Sequence, residues 1–496
     1  MFSEVSMDHI VLSGEAREID SMMINKLQIP GILLMEQAAV AVAGEVAKYC
    51  SKERPVLCVC GGGNNGGDGW AAARILMTRG YRVFVCATTL DLPDDAKTNT
   101  LLFRHTGSSV VLSDDTAVKA FFREHADAGV IVDALFGIGL TREPAGIYRT
   151  LIEEINAHSA KVVSVDIPSG VFCDTGACSI AVQADSCVTF QYAKPCHYLF
   201  PGREHTGRLT VAPIGVLSQE PSSSLYVENT FSMPARPANS NKGTYGRLGI
   251  IAGSRGMSGA AVMAARAAVA GGAGLTTVFT CGYTADVLQN TTYEVMAKAI
   301  GAEADRIKDA SFDDEIQRMS ALSVGMGLGV HPDLSEFLRT IAASDIPKVI
   351  DADGLNILAC GRDSLRFGQN TVITPHPVEF SRISGVPAEQ VLADPIGSAA
   401  AFAQRFSVIV LLKGATTTVT DGRTAVLVTR GTPAMAKGGS GDVLSGVIGA
   451  LLAQGLPCLT AAYGGAIAAG AAAERAAAEK GEYAPTALDT IRHIAL

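Results

Sequence analysis

The chain has 496 residues, of which 48% are hydrophobic and 18% charged, and these values predict two or three domains with substantial cores. The net charge of −9 and the absence of a Lys/Arg cluster argue against a nucleic-acid-binding protein. The segment Met1–Leu12 contains two acidic residues and no basic region, which is unlike a secretory signal peptide. The 11 cysteines are scattered, and this pattern is typical of reduced side chains in a cytoplasmic protein.

The predicted elements alternate between short β-rich runs and Ala-rich helical runs in both halves of the chain. This alternation predicts an α/β fold with largely parallel sheets, formed twice. Residues 221–241 are rich in Pro, Ser and Asn, so we predict a linker there, between domains at residues 1–220 and 242–496. Strands are predicted at Val56–Cys60, Tyr81–Ala87, Val130–Asp133, Lys161–Asp166, Leu248–Ala252, Thr276–Phe279, Leu322–Val324, Lys348–Asp351, Thr371–Thr374 and Val408–Leu412.

A glycine-rich loop, Gly61–Gly69, follows the first apolar strand and leads into a helix predicted from Trp70. Its glycines match the dinucleotide-binding fingerprint G-x-G-x-x-G, which is a weak signal by itself. The fingerprint does not require Asn64, Asn65 or Asp68, which offer oxygen ligands to a hard cation and hydrogen bonds to sugar hydroxyls. Because an aspartate so close to a pyrophosphate is electrostatically unfavourable, the loop disfavours an ordinary NAD-dependent dehydrogenase.

Two further strand ends of the first half carry aspartates. Asp133 is followed by the glycine-containing segment Gly137–Glu143, and Asp166 is followed by a turn that contains Ser169. Either aspartate alone could be a cap or turn residue. Three Asp-bearing strand ends in one small sheet predict a binding site instead, because ligands bind at the carboxyl edge of open parallel sheets.

These features give the first half, roughly residues 10–215, a resemblance to the NAD(P)HX epimerase family. The resemblance also rests on Glu18-Ile19-Asp20, on Gly31 and on Leu34-Met35-Glu36. It implies a Rossmann-like domain with Asp166 as the proton-handling residue. It further implies a potassium ion held by Asn65, Asp133 and Ser169. The substrate-binding residues that it implies are Asn64, Asn65, Gly66, Gly67, Asp68, Gly137, Ile138, Gly139, Leu140, Thr141, Arg142, Glu143 and Asp166.

In the second half, four glycines surround Asp442 within Lys437–Gly446, immediately before an apolar helical pattern. The free N–H groups of a helix start form an anion-binding site when glycines allow close approach. A carboxylate there would repel a phosphate, but it could accept a proton from a hydroxyl that attacks one. An ordinary loop capped by an aspartate is the alternative, although a cap does not need four glycines. The stretch Val443–Ala473 predicts two buried helices rather than a membrane span.

Other strand ends of the second half also carry polar or glycine-rich segments. Gly325–Gly329 exposes backbone to a ligand, Asp351 and Asp353 follow the next strand, and His376 lies between two prolines. Lys413–Thr417 supplies a cation, a close backbone and hydroxyls, which suit the phosphates or ribose of a nucleotide. The sequence contains no Walker A motif, which argues against a P-loop enzyme.

The ordered segments KGTYG, AGS, DADGLN, TPHP, KGATT and KGGSGD resemble the ribokinase-like fold and, within it, the NAD(P)HX dehydratase family, over roughly residues 235–490. The resemblance implies a hydrated nicotinamide nucleotide as substrate and ADP, with Mg²⁺, as co-substrate. The residues implied to contact the hydrate are Ala261, Gly327, His376 and Asp442. Those implied to contact ADP are Lys413, Gly414, Ala415, Thr416, Thr417 and Gly441.

These inferences combine into a hypothesis of nicotinamide nucleotide repair. Asp442 would accept the hydroxyl proton while ADP phosphorylates that oxygen, and loss of phosphate would give NADH or NADPH together with AMP. An aspartate of ordinary pKa, about 3.9, is a weak base, which suffices for a loose transition state. The first half would interconvert the R and S epimers for an S-specific dehydratase. The alternative is a ribokinase-like vitamin or sugar kinase with a non-catalytic N-terminal module. Only small-molecule partners are predicted, without membrane association, and a homo-oligomer is compatible with the sequence.

Overall fold

The computed structural model describes residues 7–216 and 221–496. The chain divides into two compact units, one within His9–Ser223 and the other comprising Ser224–Leu496 with the segment that ends at Asp8. The boundary thus falls inside the predicted linker, and the structure differs from that prediction over residues 224–227. These residues form a strand because Leu225 and Val227 bury their side chains. The predicted end of the first domain, residue 220, lies outside the described residues, as do residues 1–6.

Within the described residues, the N-terminal unit contains a seven-stranded parallel sheet in the order β4-β3-β2-β5-β6-β7-β8. Counted from β2, this is the strand order 3-2-1-4-5-6 of a Rossmann fold, extended by one strand. The strand order therefore reverses between β2 and β5, and a crevice is expected there at the carboxyl edge of the sheet. The strands are β2 Val56–Cys60, β3 Val83–Ala87, β4 Ser108–Val111, β5 Val130–Ala134, β6 Lys161–Val165, β7 Ser186–Phe190 and β8 Arg208–Ala212.

Helices cover both faces of this sheet, which explains why β2 and β5 are buried along their whole length and read as continuous apolar runs. Before β2, the helical structure is interrupted at residues 27–30. The helices are α1 Ser13–Ser21, α2 Gly31–Tyr49, α3 Asn64–Thr78, α4 Asp94–Arg104, α5 Asp115–Glu124, α6 Ile147–Ala157 and α7 Gly202–Thr206, with a π-helical turn at Met22–Lys26 and a 3-10 turn at Pro195–His197.

The C-terminal unit has, in the described residues, an eleven-stranded sheet in the order β1-β9-β18-β17-β16-β15-β14-β13-β10-β11-β12. Strands β10 to β16 are parallel to one another, whereas β17 is antiparallel to both of its neighbours. The strands are β1 Asp8–His9, β9 Ser224–Val227, β10 Arg247–Ile251, β11 Leu275–Thr280, β12 Met296–Ala299, β13 Ala321–Val324, β14 Lys348–Ile350, β15 Thr371–Ile373, β16 Ile409–Leu412, β17 Thr417–Thr420 and β18 Thr424–Val428.

The two long C-terminal helices, α16 and α17, are largely buried, as the apolar stretch 443–473 predicted. Helices α8 and α16 pack closely at Gly446. A Cβ at this position would clash with the carbonyl oxygen of Ala264, so the close approach depends on glycine. The helices are α8 Ser258–Ala270, α9 Gly282–Thr291, α10 Asp314–Gln317, α11 Ser335–Ala343, α12 Asp353–Ala359, α13 Pro377–Ser384, α14 Ala388–Ala393, α15 Pro395–Phe406, α16 Ser440–Ala453, α17 Cys458–Lys480 and α18 Ala487–Arg492, with 3-10 turns at Lys242–Tyr245, Pro332–Leu334, Arg362–Ser364 and Pro433–Met435. None of the described helices combines the length and apolarity that a membrane crossing requires.

Candidate active sites

The N-terminal site lies at the carboxyl edge of the seven-stranded sheet. Helix α3 begins at Asn64, earlier than the predicted start at Trp70, so the Asn and Asp residues of the glycine-rich loop occupy its first turns. Asn64, Asp68, Ile138, Asp166 and Lys194 line one cavity there, together with apolar residues of α1 and α2. The structure therefore brings together polar residues that follow β2, β6 and β7, with the apolar Ile138 from the segment after β5.

The predicted loop 137–143 contributes unequally to this cavity. Among its members, Ile138 lines the cavity and Gly137 faces Asn65, whose Oδ1 lies 3.0 Å from the position of a Cβ on that glycine. Gly139, Thr141, Arg142 and Glu143 are exposed and Leu140 is half-buried, and none of these five lines the cavity. Glu143 instead accepts a hydrogen bond from the Ser179 hydroxyl. Gly66 and Gly67 are buried inside α3.

Asp133 is fully buried at the end of β5 and is held by serines. Its Oδ1 accepts a hydrogen bond from Ser169 Oγ at 2.6 Å, and its Oδ2 accepts hydrogen bonds from Ser169 N at 2.9 Å and Ser164 Oγ at 2.8 Å. Burial raises the pKa of Asp133, and the hydrogen bonds from Ser169 and Ser164 only partly offset this. The predicted potassium ligands Asp133 and Ser169 are thus in direct contact, while Asn65 faces the adjoining turn at Gly137.

Asp166 follows β6 with a backbone φ of +66°, a conformation that is uncommon for residues other than glycine. Its buried Oδ1 accepts hydrogen bonds from Lys194 Nζ at 2.7 Å and from Thr189 Oγ1 at 2.9 Å. Its backbone oxygen accepts the Nε2–H of His197 at 2.9 Å, and the Nδ1 of that ring accepts the Lys194 backbone N–H at 3.0 Å. The turn after β7 therefore fixes both the backbone and the carboxylate of Asp166.

The carboxyl groups of this site have opposite pKa shifts. Burial raises the pKa of Asp166, but the charge and hydrogen bond of Lys194 outweigh burial and hold this pKa below its usual value. Burial raises the pKa of Asp68 well above its usual value, and the negative charges of Asp166 and Asp20 add to this shift. Burial also lowers the pKa of His197 to about 4, so this ring is neutral. Asp166 is thus the more readily ionised of the two carboxyl groups.

The C-terminal site lies where β10 and β13 to β16 end, because these parallel strands share one carboxyl edge. Helix α16 begins at Ser440 after Gly439, which has a φ of +98° and no room for a Cβ beside Met263. Asp442 therefore lies in the first turn of a long helix, next to its free N–H groups. The carboxylate and the glycine-rich loop thus lie together at the start of α16.

Lys413, at the end of β16, contacts a carboxylate that the sequence argument noted but did not select. Its Nζ donates to Asp351 Oδ1 at 2.8 Å and lies 3.8 Å from Glu379 Oε2. Asp351 is buried, and its Oδ2 accepts a hydrogen bond from Ser445 Oγ in α16 at 2.7 Å. A Cβ on Gly441 would lie 3.5 Å from Asp351 Oδ2 and 3.6 Å from Lys413 Nζ. Lys413 and Gly441 are thus neighbours.

Asp442 has a stronger basic character than its type suggests. Burial and the negative charge of Asp351 raise its pKa to about 6, with Lys413 opposing and Asp353 adding to the shift. This shift differs from the ordinary pKa expected from the sequence, because Asp351 and Lys413 are distant from Asp442 in the chain. A carboxylate with this pKa is still mostly ionised at neutral pH and accepts a proton more readily than an ordinary aspartate.

The remaining predicted residues occupy the same edge of the sheet. The Nδ1 of His376 accepts the N–H groups of Val378 at 3.2 Å and Glu379 at 3.4 Å, so this side chain caps α13. Ala261 is buried in the first turn of α8, and Gly327, with a φ of +64°, packs against Ala260 of the same turn. In the turn between β16 and β17, Gly414 and Ala415 are exposed, Thr416 is buried and Thr417 begins β17.

Comparison with known proteins links both sites to one family. A family model described as NAD(P)H-hydrate dehydratase matches residues 248–494, and one described as YjeF-related protein N-terminus matches residues 31–196. The bifunctional NAD(P)H-hydrate repair enzyme Nnr of Moorella thermoacetica is 34% identical, with coverage of 97% of this chain and 95% of the relative. The chain belongs to this family of bifunctional NAD(P)H-hydrate repair enzymes.

Other members and structures are similar to this chain as well. The Escherichia coli repair enzyme of the same name is 35% identical, with coverage of 90% of this chain and 86% of the relative. A solved ADP/ATP-dependent NAD(P)H-hydrate dehydratase from Bacillus subtilis, co-crystallized with ATP/Mg²⁺, is 25% identical, with a TM-score of 0.46 and coverage of 53% of this chain and 92% of that one. Family membership confirms the predicted repair function, the enzyme class and the fold class, a Rossmann-like domain followed by a ribokinase-like domain. It also favours this function over the kinase alternative.

Proposed function

We propose that the C-terminal unit dehydrates the S epimer of NAD(P)HX with ADP and that the N-terminal unit interconverts the R and S epimers. The observation that supports the first activity most directly is Asp442 in the opening turn of α16, beside the Lys413–Asp351 pair. A base, a cation and free helix N–H groups at one place suit a hydroxyl that attacks a phosphate. The polar cavity around Asp166 supports the second activity.

In the proposed dehydration, Asp442 accepts the proton of the ring hydroxyl as its oxygen bonds to the β-phosphorus of ADP, and the bond from that phosphorus to AMP breaks. The free N–H groups of Gly438–Gly441 and the Lys413 cation stabilise the negative charge of the transferring group. Phosphate then leaves with the electrons of the carbon–oxygen bond, and loss of a proton from the neighbouring carbon restores the double bond. His376, Ala261 and Gly327 would contact the nucleotide that carries this ring.

The epimerisation proposal follows from the chemistry of a hydrated enamine. Water adds to the carbon bonded to the ring nitrogen, so this carbon can lose its hydroxyl as water, with a proton from solvent, to leave an iminium. A water molecule whose proton Asp166 accepts can then add to the other face. Asp166 is the proposed proton-handling residue, and Lys194 keeps it ionised and oriented. Asn64–Asp68 and the loop 137–143 would bind the substrate around it. Asp166→Asn should leave one epimer consumable and the other unused.

The two proposed ions, Mg²⁺ and K⁺, bind in different ways. Mg²⁺ arrives with ADP as part of the substrate complex. For K⁺, the Asn65 amide, the Ser169 hydroxyl and the buried Asp133 carboxylate provide the oxygen atoms that a hard cation prefers, so these residues would hold it. When bound, K⁺ would supply a positive charge beside the substrate loop. Replacing K⁺ by tetramethylammonium should lower epimerisation and leave the dehydration of the S epimer unchanged.

A single experiment tests both activities. The full chain is incubated with mixed hydrate epimers and with ADP or ATP, while absorbance of the reduced nicotinamide and release of phosphate are followed together. Complete conversion with one phosphate per product supports both assignments. A stable phosphorylated product would instead indicate a kinase, and conversion that stops at one epimer would refute the epimerase.

We also infer a cytoplasmic location, which the free thiols of all 11 cysteines support, since such thiols persist in reducing compartments. The absence of nucleic-acid partners remains a prediction, and a homo-oligomer is compatible with the sequence. Measuring the molar mass of the purified chain by light scattering would decide the oligomeric state.

A further inference from the structure

One buried carboxylate of the C-terminal unit connects three elements of the site. Asp351, directly after β14, bonds to Lys413 after β16 at 2.8 Å and to Ser445 in α16 at 2.7 Å. Lys413 belongs to the proposed ADP site, and Ser445 lies one helical turn beyond Asp442, the proposed base. Asp351 is only 1% exposed, so its contacts with these partners are shielded from water.

We propose that Asp351 is a positioning residue of the dehydratase, which holds Lys413 beside the anion-binding loop and keeps that lysine from neutralising Asp442. The inference rests on the proposed function of this site. A free lysine at this place would reach for the nearest carboxylate, and Asp442 is one of those that act on it. With Asp351 present, the Lys413 ammonium makes its short contact there, and Asp442 keeps its basicity.

The charges around Asp442 support this role. The groups that act on it are Asp351 from the end of β14, Asp353 from the start of α12 and Lys413 from the end of β16. Glu379 from α13 lies 3.8 Å from the same lysine. Two of the three groups that act on Asp442 are therefore negative and raise its pKa, while the positive one is already paired. Removal of the charge on Asp351 would take away one negative neighbour of Asp442 and would leave Lys413 without its partner. Both changes would lower the pKa of Asp442.

A purely structural ion pair is the main alternative. A buried pair contributes little net stability, but loss of one partner leaves the other charge unpaired and is destabilising. The structural role alone predicts a lower melting temperature for the variant and a smaller active fraction. It predicts no change in the pH at which the remaining activity falls. The pH dependence of dehydration therefore separates the two roles.

The test is Asp351→Asn in the full chain, which keeps the shape and one hydrogen-bond acceptor while removing the charge. We expect kcat/KM for ADP to fall by roughly tenfold, a coupling within the range of contacting residues. We also expect the acidic limb of the kcat profile for the S epimer to move to lower pH, because Asp442 loses a negative neighbour and its pKa decreases. Asp363→Asn, an exposed aspartate outside the site, is the matched control and should leave both quantities unchanged.

Two outcomes would overturn the proposal: an acidic limb at the wild-type pH, or a kcat/KM for ADP within about twofold of the wild-type value. If Asp351→Asn does not fold, Ser445→Ala replaces it, since this change frees Asp351 Oδ2 and keeps every charge. That variant should lower kcat/KM for ADP about threefold, the loss of one hydrogen bond, without moving the limb. An unchanged kcat/KM would overturn the proposal. A wild-type chain that does not convert the hydrate with ADP would instead refute the proposed function itself.

Discussion

Each half of the molecule contains a buried aspartate paired with a lysine at the carboxyl edge of a parallel sheet, but the pairs are used differently. In the N-terminal unit, Lys194 contacts the proposed reactive carboxylate, Asp166, at 2.7 Å. In the C-terminal unit, Lys413 contacts Asp351 at 2.8 Å, and the proposed base Asp442 has no such contact among the described residues. The pKa of Asp166, which contacts its lysine, is thus lowered, whereas the pKa of Asp442, which does not, is raised.

The difference indicates that a lysine in direct contact holds the pKa of Asp166 down, whereas burial and the charge of Asp351 keep the pKa of Asp442 raised although Lys413 is near. A base that removes a hydroxyl proton during phosphoryl transfer benefits from a pKa closer to neutrality. A residue that must be ionised in a buried cavity needs a cation at hydrogen-bonding distance, because burial alone favours its neutral form. The two sites are arranged to meet these separate needs.

The largest effect is expected for Asp442→Asn. Removing the base should lower ADP-dependent dehydration by about 10²- to 10⁴-fold, the usual contribution of general base catalysis. Recovery of reduced-nicotinamide absorbance from the S epimer measures it, and epimer exchange, followed by chromatography, serves as the internal control. Near-normal dehydration by this variant would show that Asp442 is not the base of the C-terminal site.

Lys194→Met tests the Lys194–Asp166 contact of the N-terminal site. Without the lysine, the largest opposition to burial is gone and the pKa of Asp166 increases, so we expect epimer exchange at neutral pH to fall by roughly 100-fold. The rate should recover as the pH increases, because more of Asp166 is then ionised. Lys194→Arg, which keeps the charge, should lose less. A loss that is equal at all pH values would show that Lys194 acts on folding and not on the ionisation of Asp166.

The sequence predicted many of the strands that surround the two sites, but it did not predict the lysine–aspartate contacts within them. Val56–Cys60 forms the strand that its apolar run predicted, and Asp166 leaves the predicted strand only because of its positive φ. Strands such as Ser186–Phe190 and Thr417–Thr420 were missed, because buried Ser and Thr side chains weaken the apolar signal. The lysine partners were also missed, since 28 residues separate Lys194 from Asp166 and 62 separate Lys413 from Asp351. Contacts at such separations depend on strand order, which local patterns do not encode.

The pH dependence of the two activities should separate them without any mutation. Dehydration requires ionised Asp442, so its rate should fall as the pH decreases through about 6. Epimerisation requires ionised Asp166, whose pKa is below the usual range, so its enzymatic rate should persist to lower pH. Both rates are measured on the same preparation between roughly pH 5 and 8, a range that includes the pKa of Asp442, after subtraction of the spontaneous exchange. If the two rates decreased at the same pH, the proposed difference in pKa between Asp442 and Asp166 would be wrong.

The smallest effect is expected for Thr189→Val, which removes one hydroxyl from the N-terminal site. Thr189 donates to Asp166 Oδ1 at 2.9 Å and accepts from Lys194 Nζ at 2.8 Å, while the direct contact between the two charges does not depend on it. Loss of these hydrogen bonds should lower epimer exchange by about threefold to tenfold, as for one hydrogen bond to a charged group. Thr210→Val, the same change in the neighbouring strand β8, is the control. A loss as large as that of Lys194→Met would mean that orientation of the carboxylate, more than its charge partner, governs the N-terminal site.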